Sequence, residues 1–224
     1  MTDVLRTGRL ALHPVGMSDH RALLAHWTGP LVRRYLLDDL VITPVQVTEI
    51  IAASQRDFAT AGYGLWALRP GPLIDARPGA RRAGARPYGR GARGRGGLPT
   101  AGPDPDGALV GVVGLRRQEG PAGRGPDVEI VYSLEPDRWG QGLAAEAARA
   151  VLDYAFGVVG LPRVTAEIDA RNSSSAEVVE RLGMRPWRRG AGGGPDAGAN
   201  GPDGPAYYAA YRTAWLGARP AIDA

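Results

Sequence analysis

The amino-acid sequence predicts a mixed α/β domain, and three observations lead there. Short stretches with apolar residues at every second position alternate with longer stretches whose apolar residues recur every three to four positions. An apolar content of 44% in 224 residues is enough to build one substantial core. A long helical stretch follows a strand across a turn that carries two glycines, a joint suited to presenting backbone amides.

The elements follow in chain order. Leu10 and Leu12 alternate with polar neighbours over 9–13, a short strand. Ser18 is placed to cap a helix carrying Leu23, Leu24 and Trp27. A second helix spans about 45–60, with Val47, Ile50, Ile51 and Phe58 on one face. Residues 64–69 and 108–117 read as two strands joined by a long insertion. Over 127–134, Val128, Ile130, Tyr132 and Leu134 share one side of a strand, and Glu129, Val131 and Ser133 the other. A helix then runs from Leu143 to about Val158, with Leu143, Ala147, Val151, Tyr154 and Val158 in one stripe. Residues 163–169 form a strand with Val164, Ala166 and Ile168 alternating. A short helix over 173–182 is stopped by Gly183. Residues 184–188 and 207–216 supply two last strands, giving the order β-α-α-β-β-β-α-β-α-β-β.

Two segments lie outside this pattern. Residues 70–106 are rich in Gly, Pro, Arg and Ala, without the apolar periodicity that would offset ordering entropy, so a flexible insertion is expected. A Gly-rich loop spans 190–205. All 27 basic residues are arginine, and the insertion holds seven of them against Asp75, Asp104 and Asp106. The remaining 20 arginines face 20 acids, so the net charge of +4 reports the insertion and not a basic domain. Its Gly89-Arg90-Gly91-Ala92-Arg93-Gly94-Arg95-Gly96-Gly97 stretch is similar to RGG-type RNA-binding tracts. With Tyr88 as its one aromatic residue, a solvated linker is the preferred reading, and nucleic acid is not an expected partner.

No cysteine is present, which excludes disulfides, thiolate metal sites and a thiol nucleophile. His13, His20 and His26 have no metal-ligand spacing, and no metal is expected. Met1 to Arg6 contains no apolar stretch of signal-peptide length, and no later run is long enough to span a membrane. A soluble cytoplasmic protein is the expectation.

The sharpest local signal is Trp139-Gly140-Gln141-Gly142-Leu143-Ala144, between a strand and a helix. Glycines let backbone approach a ligand closely, and the free amides and dipole of the first helical turn make an anion site suited to a pyrophosphate. An ordinary tight connection is the plainer reading. A Walker loop would need Gly-Lys-Ser/Thr, and the chain has no lysine. A dinucleotide fingerprint would need a third glycine, for which Ala145 would have to stand in.

These residues resemble the GNAT N-acetyltransferases, most closely the branch that includes the ribosomal-protein alanine N-acetyltransferases. That family's acyl-CoA loop reads Gln/Arg-x-x-Gly-x-Gly/Ala; here Trp139 takes the first position, with Gly142 and Ala144 at the small positions. Glu129-Ile130-Val131-Tyr132 resembles the strand before that loop, and Asn172-Ser173-Ser174-Ser175 matches Asn-x-x-Ser. Glu180-Arg181-Leu182-Gly183-Met184 is similar to Glu-Lys-Leu-Gly-Phe, and Leu5-Arg6-Thr7-Gly8-Arg9-Leu10 resembles the branch's opening strand. The resemblance covers about 5–69 and 107–188.

The resemblance implies one GNAT domain: a mixed, mostly antiparallel sheet of about six to seven strands, splayed in the middle and flanked by four helices. It implies acetyl-CoA as co-substrate and direct attack by a primary amine, of a protein N-terminus or a small molecule, in a ternary complex. The pantetheine arm would lie between 127–134 and 163–169, against Tyr132, Ser133 and Leu134. Trp139, Gly140, Gln141, Gly142, Leu143 and Ala144 would hold the pyrophosphate, and Asn172 would reach the pantetheine or the acceptor side.

Acyl transfer to an amine needs a base, donors for the developing oxyanion and a partner for the leaving thiolate. Many family members use a tyrosine on the last helix as that partner; Val179 stands at the matching position. Ser175, one turn earlier, is the candidate to hydrogen-bond the sulfur, or else a plain surface or capping serine. Glu129 is the candidate base, acting through a water, or else a paired structural carboxylate. Glu167 and Asp38-Asp39 are alternatives, and the 28–43 loop, with Trp27, Arg33, Arg34 and Tyr35, is expected to close over the acceptor. Two other readings stay open: a non-catalytic acyl-CoA sensor, which the missing tyrosine permits, and a nucleic-acid-associated module using the insertion. The sequence leaves monomer and homodimer equally open.

Overall fold

A computed structural model describes residues 4–36, 39–71, 107–118, 127–187 and 205–218. The strands are β1 (Leu5–Arg6), β2 (Leu10–Pro14), β3 (Leu65–Pro70), β4 (Gly111–Gln118), β5 (Asp127–Leu134), β6 (Arg163–Ile168), β7 (Arg185–Pro186) and β8 (Ala206–Tyr211). The helices are α1 (His20–Thr28), α2 (Pro30–Arg33), α3 (Pro44–Ala61), α4 (Leu143–Tyr154), α5 (Ser173–Arg181) and α6 (Arg212–Gly217). All eight strands form one sheet in the order β1-β2-β3-β4-β5-β6-β8-β7. Every neighbouring pair is antiparallel except β5–β6.

Strand alternation divides the core into two layers. Trp66 and Leu68 of β3, Val113 and Leu115 of β4, and Ile130 and Leu134 of β5 face α4 and α5. Leu65, Ala67, Val112 and Val131 face the opposite side, where Leu23 and Trp27 of α1 and Val47 and Ile51 of α3 cover them. The α4 stripe is fully buried at Ala147, Ala148, Val151 and Leu152. Val151 and Leu152 each contribute about 1.5–3 kcal/mol by leaving water, and each alanine methyl about 0.8 kcal/mol. Phe58 and Tyr154 both meet the buried Trp66 ring edge-on, at 4.8 and 5.5 Å, locking α3 and α4 to the sheet.

The structure departs from the expectations in four places. The sheet has eight strands because the two-residue β1 and β7 join it. Ser18 does not cap α1: it sits in a 3₁₀ turn, Met17–Asp19, and α1 starts at His20. Asp19 organises this corner, accepting from Gly16 N–H at 2.9 Å and from Arg69 at 2.6 Å. Six helices appear among the described residues, where the resemblance implied four; α2 forms in the expected loop, started by Pro30 at its first position. The last expected strand, 207–216, stops at Tyr211 and continues as α6. Packing overrides the local pattern there: the Trp215 ring lies 5.7 Å from Phe156, and its indole N–H donates to Asp153 at 2.8 Å. The expectations for 72–106 and 190–204 lie outside the described residues.

Candidate active site

The site begins where the sheet opens. β4 and β5 pair over the whole length of β5, from Gln118↔Asp127 to Gly111↔Leu134. On its other edge β5 pairs with β6 at a single position, Glu129↔Thr165. Among the described residues, β5 from Ile130 to Leu134 therefore has β4 as its only ladder partner. Unpaired strand edges need another partner, and a ligand's amides can supply one.

Glu129 sits at the opening itself and is 2% exposed. One carboxylate oxygen accepts from the Glu167 backbone N–H at 3.2 Å, satisfying β6 where the ladder stops. The other accepts from Arg116 Nε at 2.9 Å. A carboxylate has about four acceptor positions, so two remain for a water or an amine.

Tyr132 spans the gap: its hydroxyl donates to the Ser175 backbone carbonyl at 2.9 Å. Burial, the largest influence, pushes this phenol well above its ordinary value, so it stays protonated. Asn172 caps α5, its side-chain oxygen accepting from Ser175 N–H at 3.1 Å. The Ser175 hydroxyl has no hydrogen-bond partner among the described residues. Tyr132, Asn172 and Ser175 thus come together on two facing elements. Val179 is fully buried in the core layer of α4 and α5, so no polar group replaces the missing tyrosine at its position.

Beyond Leu134 the chain makes a 3₁₀ turn, Pro136–Arg138, and reaches the glycine turn. Trp139 donates its indole N–H to Leu134 O at 2.8 Å, while half its ring surface stays in water. Gly140 and Gly142 have φ of 69° and 74°, the left-handed region that side chains disfavour. Gly142 precedes α4, and no side chain caps that helix. The first-turn amides of α4 are open to an anion, with the helix dipole behind them. Predicted contacts Gly140, Gln141, Gly142, Leu143 and Ala144 all lie on this turn and its helix start.

Two polar networks flank the site that sequence reasoning did not single out. His26, from α1, has a wholly buried side chain with Nδ1 2.8 Å from Glu135 Oε1 and Nε2 2.8 Å from Ser133 Oγ. Because an ionised Glu135 can only accept, Nδ1–H donates to it and Nε2 accepts the Ser133 hydroxyl. Burial lowers the His26 pKa from its ordinary value, and the hydrogen bond and charge of Glu135 pull it partly back. Arg9, between β1 and β2, pairs with Glu146 and donates to Gln141 O at 2.8 Å. A histidine inside the apolar run Leu23–Leu24–His26–Trp27 is the sequence signal for the first network. The second joins residues 137 positions apart and leaves no local signal.

After β6, Asp169 is held down to about 2, chiefly by the Arg171 side chain. Arg171 is raised in turn, first by Asp169, with Tyr35 and Asp39 adding, which places the segment after α2 near the start of α5. Trp27 is buried under α1 and not available to line the cleft, and Asp38 lies outside the described residues. Among the described residues no cluster could hold a metal, and no helix is long and apolar enough to cross a membrane.

Residues 9–185 match the Acetyltransferase (GNAT) domain family. The chain belongs to the GNAT acetyltransferases. An uncharacterized N-acetyltransferase, p20 of Bacillus licheniformis, is 30% identical over 77 residues, 34% of this chain and 42% of that protein. The chain matches only 33% and 42% of the length of two curated relatives, the uncharacterized protein YkkB of Bacillus subtilis and p20. An acetyltransferase from Agrobacterium tumefaciens superimposes with a TM-score of 0.63 at 21% identity, covering 94% of this chain and 95% of its own. RimL, a ribosomal L7/L12 alpha-N-protein acetyltransferase in complex with CoA, gives 0.59 at 14% identity, covering 93% and 98%. At such identities the two structures establish the GNAT fold alone.

Proposed function

We propose that this GNAT protein transfers the acetyl group of acetyl-CoA to a primary amine, by direct attack while both substrates are bound. The observation that carries the reading is the continuity of the opened β5 edge with the Gly140–Gly142 turn and the uncapped start of α4. The residues fit the co-substrate: both glycines leave open space where a side chain would stand, since a Cβ at Gly140 meets nothing within 4 Å and one at Gly142 meets only Arg9 Nη2, at 3.7 Å. Acetyl-CoA supplies the activated acyl group.

In this proposal the amides of Gly140 to Ala144 hold the pyrophosphate, and the backbone of Tyr132 to Leu134 holds the pantetheine arm. Trp139 flanks the turn, and Asn172 fixes the start of α5. Glu129 serves as general base through a water, using acceptor positions that Arg116 and the Glu167 amide leave free. Ser175 donates its hydroxyl to the departing sulfur. The acceptor enters beside Tyr35, Asp39 and Arg171, and is either a protein N-terminus, as the name of RimL states for that enzyme, or a small amine. The cytoplasm is the proposed location.

The test is release of free thiol from acetyl-CoA in the presence of a panel of amines, peptides included. Amine-dependent release supports the reading. Tight binding of acetyl-CoA with no release for any amine would instead establish a non-catalytic sensor, the reading that Val179 permits.

A further inference from the structure

We infer that Arg9 is a positioning residue for acetyl-CoA, one that turns the Gly142 amide toward the pyrophosphate. This rests on the acetyl-CoA reading of the glycine turn. Arg9 lies in the β1–β2 turn, 132 positions before Gln141, and four groups converge there on one carboxylate. Thr7 Oγ1 and Arg9 N donate to Glu146 Oε1 at 2.5 and 2.9 Å. Arg9 Nε and Nη2 both reach Glu146 Oε2 at 2.6 Å. Glu146 is in the first turn of α4, so the hairpin is bolted to the helix whose N-terminus forms the site. Burial alone would raise the Glu146 pKa, but the Thr7 hydroxyl and the amide and guanidinium of Arg9 together outweigh it and bring it below its ordinary value.

The remaining arm of the guanidinium does something a structural ion pair does not require. Nη1 donates to the backbone carbonyl of Gln141 at 2.8 Å. The peptide that carries this carbonyl ends on Gly142, a glycine at positive φ, so no Cβ on that side restrains how its plane turns. A trans peptide points its C=O and N–H in opposite directions. Pinning the Gln141 carbonyl toward Arg9 therefore aims the Gly142 N–H away from Arg9, to the side where an anion would sit. Without the clamp this peptide is free to rotate and present its carbonyl, which would repel a phosphate. Backbone donors that are already oriented bind more tightly because no ordering cost remains.

The experiment compares wild type with Arg9→Lys and Arg9→Ala, using acetyl-CoA as the probe. Arg9→Lys keeps the charge and the backbone bond to Glu146, but a single ammonium lacks the fork that serves carboxylate and carbonyl together. Calorimetry gives the affinity, and amide NMR gives the response of the Gly142 N–H. Both variants should bind about tenfold more weakly, the loss of one oriented hydrogen bond. In wild type the Gly142 amide should move downfield on adding acetyl-CoA; in both variants it should not, while the β5 amides still respond. Unchanged affinity overturns the inference, as does weaker binding with a wild-type Gly142 response. Loss of cooperative melting in both variants also overturns it, in favour of a purely structural clamp. If folded wild type fails to bind acetyl-CoA, the acetyl-CoA reading itself falls, and the inference with it.

Discussion

Glu129→Gln separates chemistry from structure at the point where β5 and β6 part. Glutamine matches glutamate in size and still accepts from the Glu167 N–H through its carbonyl oxygen. It removes the basic oxygen, and it turns an N–H toward Arg116 Nε, where a charge-assisted bond of 2.9 Å stood. Loss of a general base costs about 10²-fold in rate at neutral pH, equal to about 2.7 kcal/mol of barrier. Losing a hydrogen bond to a charged partner costs about 1.5–3 kcal/mol of stability when dry. The Arg116 side chain is 49% exposed, so water replaces much of the bond, and about 1 kcal/mol is the expected loss.

The second variant, Arg116→Gln, breaks the same ion pair and leaves the carboxylate in place. It should lose more stability in urea melts, because the buried carboxylate is left without its cation, and keep most of the rate. The assay is acetyl transfer to a verified acceptor across pH, under conditions where chemistry limits the rate. Higher pH should restore part of the Glu129→Gln rate, because more of the amine is then neutral. Parental activity in Glu129→Gln would refute the assignment, and so would equal rate losses in the two variants. Either result would make Glu129 a structural plug for the open edge and move the search for a base to Glu167.

Three further outcomes are expected. Gly142→Asp should abolish acetyl-CoA binding in calorimetry while the protein still melts cooperatively, because a carboxylate faces the phosphate and a side chain is strained at φ 74°; unchanged affinity would reduce the loop to a turn. Ser175→Ala should lose about tenfold in rate at every pH, the size of one modest hydrogen bond, and a loss that varies with pH would count against a sulfur partner. Because burial depresses the His26 pKa in the fold, the unfolded chain takes up a proton first as pH falls below the ordinary histidine value of about 6.5. Stability should then fall by up to about 1.4 kcal/mol per pH unit, with no such effect above that value, and His26→Gln should flatten this part of the curve in melts from pH 7 to 5. Parallel curves for the two proteins would show that another group titrates.

Local periodicity made most of the fold legible. The two faces of β5 follow from a spacing of two, and the buried stripe of α4 from a spacing of 3.6, although its expected last member, Val158, lies beyond the helix end and is exposed. The glycine turn was legible for a similar reason: positive φ at Gly140 and Gly142 restricts the residue type. What stayed hidden depends on partners far away in the chain. Tyr207 to Leu216 has strand-like composition, and only the Trp215 contacts with Phe156 and Asp153 make its second half helical. Glu129 reads equally as base or ion-pair member until Arg116 is seen directly across from it in the β4–β5 register. His26 and Arg9 pair with residues more than 100 positions away, and a single sequence carries no trace of such pairings.

Those distant pairings bear on how an open strand edge can stay in place. Past Glu129, β5 has lost half its ladder, and the backbone that a ligand must find is the part least restrained by the sheet. The side chains there are tied outward to different elements. The Tyr132 hydroxyl holds α5, Ser133 and Glu135 share His26 of α1, and Leu134 O takes the Trp139 indole N–H. Arg9 then fixes the glycine turn from the β1–β2 hairpin. Three anchors hold the end of β5 where β6 has left it and a fourth holds the glycine turn, and of these only Tyr132 crosses the gap between β5 and the start of α5. Rigidity of the edge is thus separated from pairing of the edge, so the cleft can remain open without the strand wandering or recruiting another chain. A loss at any one anchor should therefore appear first as weaker acetyl-CoA binding and only later as unfolding, since the two core layers beneath do not depend on it.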